Sequence, residues 1–213
     1  MQYPISLRLE GKRCAIVGGG RIALGKAGPL LAAGAQVLVV SPEFRPEFES
    51  MEGVELRRRP FKPDDLDGAF LAVAATDDHA VNHAVWEASR ARGVLCNVVD
   101  DPERCDFFVP AVVERGALSV AISTAGEAPA LAKRLRRDLE ELLPEEYADY
   151  VGFLGMARER VRQRVPDRAQ RERIAAELAS QEGFERFLSA TPAEREAWLS
   201  ERVAGSATGD EYR

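Results

Sequence analysis

The run Cys14-Ala15-Ile16-Val17 passes directly into Gly18-Gly19-Gly20 and then into Arg21-Ile22-Ala23. That order of apolar run, glycine turn and amphipathic segment constrains the fold more than any other part of the chain. An unbroken apolar stretch of this length suits a strand buried on both faces, as in a parallel sheet, and Ala23, Ala27, Leu30 and Leu31 then recur at helical spacing. The turn reads G-x-G-x-x-A. In that pattern Gly18 makes the tight turn, Gly20 lets backbone approach a pyrophosphate, and Ala23 permits close helix–strand packing. The unpaired amides of the helix N-terminus then face the phosphates. The segment therefore predicts a dinucleotide site. Pro29, in mid-helix, removes a backbone donor opposite the carbonyl of Gly25, which predicts a kink between the two, beyond the phosphate-binding end.

Four further strands are expected at Gln36 to Val40, Val54 to Arg59, Phe70 to Ala75 and Val94 to Val99, separated by helical or turn segments. The alternation predicts an α/β fold, a Rossmann-type doubly wound parallel sheet with its ligand at the carboxyl ends of the strands. Polar residues cluster at those ends: Gly18 to Gly20, Ser41-Pro42-Glu43, Thr76-Asp77-Asp78, and Asn97 with Asp100-Asp101. We expect these four ends to converge on one crevice. An acid at the end of the second strand hydrogen-bonds the adenosine ribose, whereas an arginine accommodates a 2′-phosphate. Here Ser41 holds the usual acidic position, Glu43 follows, and Arg45 comes next but one. The pattern leans to NAD and leaves NADP open.

The chain has 213 residues, enough for a full core, and a net charge of −6. That balance argues against nucleic acid or a membrane surface as the main partner, since both favour a basic face. The longest apolar stretches are of strand length, and the N-terminus shows no signal-peptide pattern, so a cytoplasmic location is expected. Cys14, Cys96 and Cys105 lack metal-ligand spacing, and the first two sit in apolar runs as small hydrophobes. His79 and His83 are four apart, but Val81, Ala84, Val85 and Ala88 define the buried face of their helix and place both imidazoles on the solvated side. No metal site is expected.

After Asp101 the pattern changes. Phe107 to Glu114 and Ala117 to Ser123, joined by Arg115-Gly116, read as a hairpin. Ser123-Thr124-Ala125-Gly126 then leads to a helix opening near Ala128-Pro129 and carrying Lys133, Arg134, Arg136 and Arg137. These cations are either an ordinary helix face, supported by Glu140 and Glu141, or a basic wall for a polyanionic substrate. From Pro144 the chain is helical. Its apolar seams are Val151, Leu154, Val161 and Val165; Ile174 and Leu178; Phe184, Phe187 and Leu188; and Trp198 with Leu199. The expected organisation is a Rossmann domain over 1–110, a small α+β segment over 111–145, a helical domain over 146–204 and a disordered tail over 205–213.

Several ordered motifs resemble precorrin-2 dehydrogenase, found alone or as the N-terminal part of siroheme synthase. They are Gly18-Gly19-Gly20 with Ala23 and Lys26, Ala75-Thr76-Asp77-Asp78 with Asn82, Cys96-Asn97-Val98-Val99-Asp100, Phe107 with Pro110, and Ala121-Ile122-Ser123 leading to Gly126 and Pro129. The resemblance is collinear from about Pro4 to Leu143. It implies oxidation of the polycarboxylate tetrapyrrole precorrin-2 to sirohydrochlorin with NAD as hydride acceptor, in a homodimer to which the hairpin contributes. Some members of this family also insert ferrous iron. By the same resemblance Asp100 is the key carboxylate, and Gly18, Gly20, Arg21, Ile22, Ala23, Pro42 and Glu43 contact the cofactor. Thr76, Asn97 and Val98 line its nicotinamide side, and Ser123 and Thr124, with Gly126, face the substrate; Lys133 and Arg134 are the substrate-binding candidates if the helix forms the basic wall. One departure is Glu127-Ala128, where the family carries a capping hydroxyl before the proline. A dehydrogenase that also acts as ferrochelatase, and a non-enzymatic NAD-sensing module, are the alternatives.

Overall fold

The structure is a computed structural model that describes residues 2–204; the tail expected over 205–213 lies outside the described residues. The described residues divide into two compact units, the first ending at Val109 and the second beginning at Pro110.

The first unit holds five strands, β1 (Arg13–Val17), β2 (Gln36–Ser41), β3 (Val54–Arg58), β4 (Leu71–Ala74) and β5 (Leu95–Val98), with helices α1 (Arg21–Ala32) and α2 (His79–Arg92). The sheet is wholly parallel in the order β3-β2-β1-β4-β5. Alternation along each strand explains the two layers. Cys14 and Ile16 of β1, with Leu71 and Val73 of β4, pack with Ala23 and Ala27 of α1. Their neighbours Ala15, Val17, Ala72 and Ala74 pack on the opposite face with Val85 and Ala88 of α2. The chain reverses its winding between β1 and β4, which opens a crevice at their carboxyl ends.

Pro29 does not break α1: it and Gly25 are solvent-exposed, so water can satisfy the carbonyl that Pro29 leaves unpaired, and the helix runs on to Ala32. One local expectation changes. On α2 the buried face carries Asn82, Val85, Ala88 and Ser89, while Ala84 is exposed. Asn82 takes the place expected for an apolar residue because it has hydrogen-bond partners at the end of β4.

The edge strand β5 is covered by its own continuation. Residue Asp106 exchanges backbone and side-chain bonds with Cys96, the carboxylate accepting the Cys96 amide at 2.9 Å. The Cys105 thiol accepts from the Val98 backbone amide at 3.3 Å, and Asn97 Nδ2 donates to the Phe107 carbonyl at 2.9 Å. These contacts cover the β5 edge from Cys96 to Val98.

The second unit begins with the antiparallel pair β6 (Ala111–Arg115) and β7 (Leu118–Ile122), followed by α3 (Pro129–Leu142). Arg115 is buried and donates to the carbonyls of Leu143, Glu140 and Glu114, fastening the hairpin turn to the C-terminal end of α3, where a cation also complements the helix dipole. Helices α4 (Tyr147–Arg164), α5 (Arg168–Leu178), α6 (Gln181–Ser189) and α7 (Pro192–Ala204) close the chain. The four apolar seams merge into one core, with a correction on α4: Tyr150, Phe153 and Ala157 are buried beside Val161 and Val165, whereas Val151 and Leu154 are only partly so. The aromatic rings decide this register, since Tyr150 and Phe153 pack on Phe184, Phe187 and Trp198. Leu188, expected in the core, is 45% exposed.

Candidate functional site

A cavity of about 710 Å³ lies at the carboxyl end of the parallel sheet. Val17 to Ile22 form its floor, Val40 to Arg45 one side, and Ala75 to Asp78 with Val81 the other. Pro60 and Phe61, just beyond β3, complete the wall. Sequence reasoning did not single out these two; their signal was their position at a strand end.

The three glycines do different work. Gly18 has φ +127°, a conformation that disfavours any Cβ, and an added Cβ would overlap the Ala75 carbonyl at the end of β4. At Gly19 a Cβ would run into the carbonyl oxygen of Glu43, whose loop is also tied to the turn by the Arg45 amide donating to Gly19 at 3.0 Å. The middle glycine, given no role by the motif, is thus the joint between the β1 turn and the β2 loop. Gly20 differs: a Cβ there meets nothing within 4 Å. It is the N-cap of α1, which has no side-chain cap and no acid in its first turn. Its leading amides are therefore free for an anion. Ala23 is fully buried, as close packing requires, while Arg21 and Ile22 are exposed at the cavity floor.

Pro42 and Glu43 are exposed on the β2 side. Arg45 lines the same wall, but its guanidinium pairs with Glu47 at 2.8 Å. On the β4 side, the Thr76 hydroxyl donates to Asn82 Oδ1 at 2.8 Å, and Asn82 Nδ2 donates to the Thr76 carbonyl at 2.9 Å. Asp78 caps α2 by accepting from Ala80 and Val81. Thr76 thus shapes the wall through a clamp with Asn82. The signal for that clamp was a polar residue on the otherwise apolar face of α2.

The wall at Pro60-Phe61 is held by Asp65, which is 1% exposed. Its carboxylate accepts from Arg59 at 2.5 and 2.8 Å, from the Lys62 amide at 2.9 Å and from Arg57 at 2.8 Å. Burial alone would raise its pKa, but Arg59, the Lys62 amide and Arg57 together hold it down at about 2. A depressed carboxylate stabilises the fold above its unfolded pKa and loses that contribution as pH falls through the folded value. We expect the first unit to lose roughly 2 kcal/mol between about pH 4 and pH 2. Urea melts of the protein and of Asp65→Asn across this range check it, the variant lacking that part of the acid sensitivity.

The crevice is built by four strand ends, but the fourth belongs to β3 and not to β5. Asn97 and Val98 are buried and do not line it; their polar groups hold the segment around Cys105. Asp100 follows β5 on an exposed turn closed by the Asp101 amide donating to Val98 O at 3.2 Å, and its φ is +62°. Aspartate is among the few residues that tolerate this region. Asp101 is paired with Arg104. Burial pushes the Cys14 and Cys96 thiols up to about 11, which keeps them as inert packing groups. His83 stacks on Trp86, and no metal-binding cluster occurs among the described residues.

In the second unit, Ser123 Oγ accepts from the Ala125 amide at 3.2 Å, and Thr124 Oγ1 accepts from the Ala128 amide at 3.2 Å. That bond reaches the amide of the N-cap residue itself, and the first-turn amides of α3 have no side-chain cap. Ala125 and Gly126 both have positive φ, 55° and 87°. Lys133 and Arg134 are exposed on α3, and Arg134 pairs with Asp138 at 2.9 Å.

Residues 5–111 match the family model described as putative NAD(P)-binding, and residues 115–142 match that of the sirohaem biosynthesis protein central region. The chain belongs to the putative NAD(P)-binding family. It is 40% identical over 216 residues to a siroheme synthase of Pseudomonas paraeruginosa, covering 98% of this chain and 46% of that protein. With a siroheme synthase of Methylococcus capsulatus the identity is 41% over 230 residues, covering 99% and 48%. The chain spans about half the length of these relatives. Among solved structures it is similar to SirC, precorrin-2 dehydrogenase, with TM-score 0.76 and 27% identity, covering 94% of this chain and 98% of that one. The resemblance read from the sequence and the fold class are thus borne out.

A nicotinamide dinucleotide fits the residues of the family's site. The space over Gly20 that a Cβ would partly fill lies at an uncapped helix N-terminus, and an anion is what those amides lack.

Proposed function

We propose that the protein oxidises precorrin-2 to sirohydrochlorin with NAD as the hydride acceptor. The observation that carries this reading is the likeness to SirC, precorrin-2 dehydrogenase, over 94% of the chain, with a glycine cradle open at the head of α1.

NAD bound at the cradle supplies the acceptor for a hydride. The leading amides of α1 hold the pyrophosphate, and Gly18 and Gly19 keep the turn close to β4 and β2. Glu43 accepts hydrogen bonds from the ribose hydroxyls. Arg45, already neutralised by Glu47, offers little to a 2′-phosphate, which favours NAD over NADP. The Thr76–Asn82 clamp fixes the β4 wall. Asp100 takes a proton from the substrate as hydride leaves carbon, or holds the cationic character that develops there. Asn97 and Val98 act by fixing the strand end that carries Asp100. Ser123, Thr124 and Gly126, with Lys133 and Arg134, receive substrate carboxylates.

The protein acts as a cytoplasmic homodimer. Support comes from Leu131 and Leu142, 41% and 71% exposed on α3. Among the described residues no helix is long and apolar enough to cross a membrane.

The test is anaerobic conversion of enzymatically prepared precorrin-2, following NADH and the sirohydrochlorin spectrum together, with NAD and NADP in parallel. Equal appearance of both products, faster with NAD, is the expected result. Cofactor binding without either product would move the weight to a nucleotide-sensing module. Because the relatives are named siroheme synthases, ferrous iron is added last, and metal insertion without further NAD would add a ferrochelatase step.

A further inference from the structure

A second cavity, of about 610 Å³, lies within the helical unit between α4 and α5. Its origin is legible in two helical stripes. From α4 come Leu154, Ala157, Arg158, Val161 and Arg162, at the i, i+3, i+4, i+7, i+8 spacing of one face. From α5 come Arg168, Arg171, Glu172, Ala175, Leu178 and Ala179, again one face. At Ala157, Ala175 and Ala179 the side chains are too short to fill the space between the helices. The hollow is a groove open to solvent: Ala157, Val161 and Leu178 form its buried floor, Arg158, Arg168, Glu172, Ala175 and Ala179 are exposed along its rim, and its size lies within the range of ligand sites.

The lining is polarised. The helices are joined by only three residues, Val165 to Asp167, and run antiparallel, as the Tyr150 hydroxyl bonding to the Leu178 carbonyl requires. Leu154, Ala157, Ala175, Leu178 and Ala179 therefore share the end far from the connection, and Arg158, Arg162, Arg168 and Arg171 lie toward the end near it, around Val161 and Glu172. Two of these cations are neutralised, Arg162 by Glu159 at 2.7 Å and Arg168 by Glu172 at 2.8 Å. The other two have no carboxylate. Arg171 donates only to the carbonyls of Val165 and Pro166, and Arg158 makes no hydrogen bond or ion pair among the described residues. In a chain of net charge −6, two unneutralised guanidiniums at one end of an apolar hollow are a built complement to an anion with an apolar body.

We propose that the α4–α5 hollow is a ligand site, separate from the dinucleotide crevice, for a small amphipathic carboxylate whose apolar body lies over Ala157, Ala175 and Leu178 and whose head meets Arg158 and Arg171. The site does not depend on the reaction proposed above.

The test is calorimetric titration of the full chain, saturated with NAD, with decanoate below its micelle concentration, and with acetate as the head-only control and decanol as the tail-only control. One site per chain with a dissociation constant of about 0.1–1 mM is expected, with both controls at least about tenfold weaker. Ala175→Trp fills the hollow from an exposed helical position and abolishes saturable binding. Arg158→Glu weakens it by about tenfold. Circular dichroism melts confirm that both variants fold. Sedimentation with phosphatidylglycerol vesicles separates a free acid from a membrane lipid as the source of the head group. Unchanged decanoate affinity in Ala175→Trp, equal binding of decanol, or vesicle binding without binding of the free acid would each overturn the assignment.

Discussion

Asp100→Asn is expected to leave the protein folded and able to bind NAD while lowering dehydrogenation by about 10²- to 10⁴-fold, the range for loss of a positioned proton acceptor. The backbone makes this substitution the informative one. Asp100 sits at φ +62°, and asparagine is as well suited to that region as aspartate, so the turn that follows β5 survives while the charge is lost. Asp100→Ala would add roughly 1–2 kcal/mol of backbone strain and mix a folding defect with a chemical one. Asp100→Gly removes both strain and carboxylate, and is expected to melt no lower than the parent protein but to turn over as poorly as the asparagine variant. Single-turnover formation of NADH with sirohydrochlorin gives the rate, and NAD titration gives the affinity. Near-normal turnover in Asp100→Asn would remove the residue from the chemistry and leave it as a turn former.

The second large effect separates the glycines. Gly18→Ala places a Cβ where φ is +127° and against the Ala75 carbonyl, neither of which can yield without moving β1 from β4. Backbone strain and overpacking together are expected to cost about 2–5 kcal/mol, read as a lower urea midpoint of the cofactor-free protein. Gly20→Asp meets open space, so the cofactor-free protein is expected to melt as the parent does. Its carboxylate, however, stands at the head of α1 in the place proposed for the pyrophosphate, and NAD affinity should fall by at least about tenfold. Unchanged NAD affinity in Gly20→Asp would mean that the dinucleotide does not approach the turn. Loss of folding in that variant would contradict the open geometry itself.

Periodicity and glycine order, read locally, were enough for five parallel strands, the turn at Gly18 to Gly20, the hairpin and the helical C-terminal half. Each of these depends on a residue's own preferences and those of its near neighbours: an unbroken apolar run for a strand covered on both faces, proline at the first turn of α3, a glycine between β6 and β7. The rest followed from side-chain contacts between different elements, six to ten residues apart in the first unit and some thirty or more on α4, that the pattern within one element does not show. Asn82 is buried because Thr76, at the end of a strand, takes up its amide. Asn97 and Val98 turn away from the crevice because the chain doubles back at Cys105 to cover the edge of β5, and Pro60-Phe61 take the vacant wall because Asp65 gathers Arg57 and Arg59 around them. On α4 the aromatic rings of other helices, and not its own apolar spacing, chose Tyr150 and Phe153 for the core. The amino-acid sequence alone thus determined which elements form and where a dinucleotide can be cradled. Tertiary structure decided which polar side chains reach that cradle, since a buried hydrogen-bonding group goes to whichever partner the folded chain brings within about 3 Å, and sequence spacing does not reveal that partner.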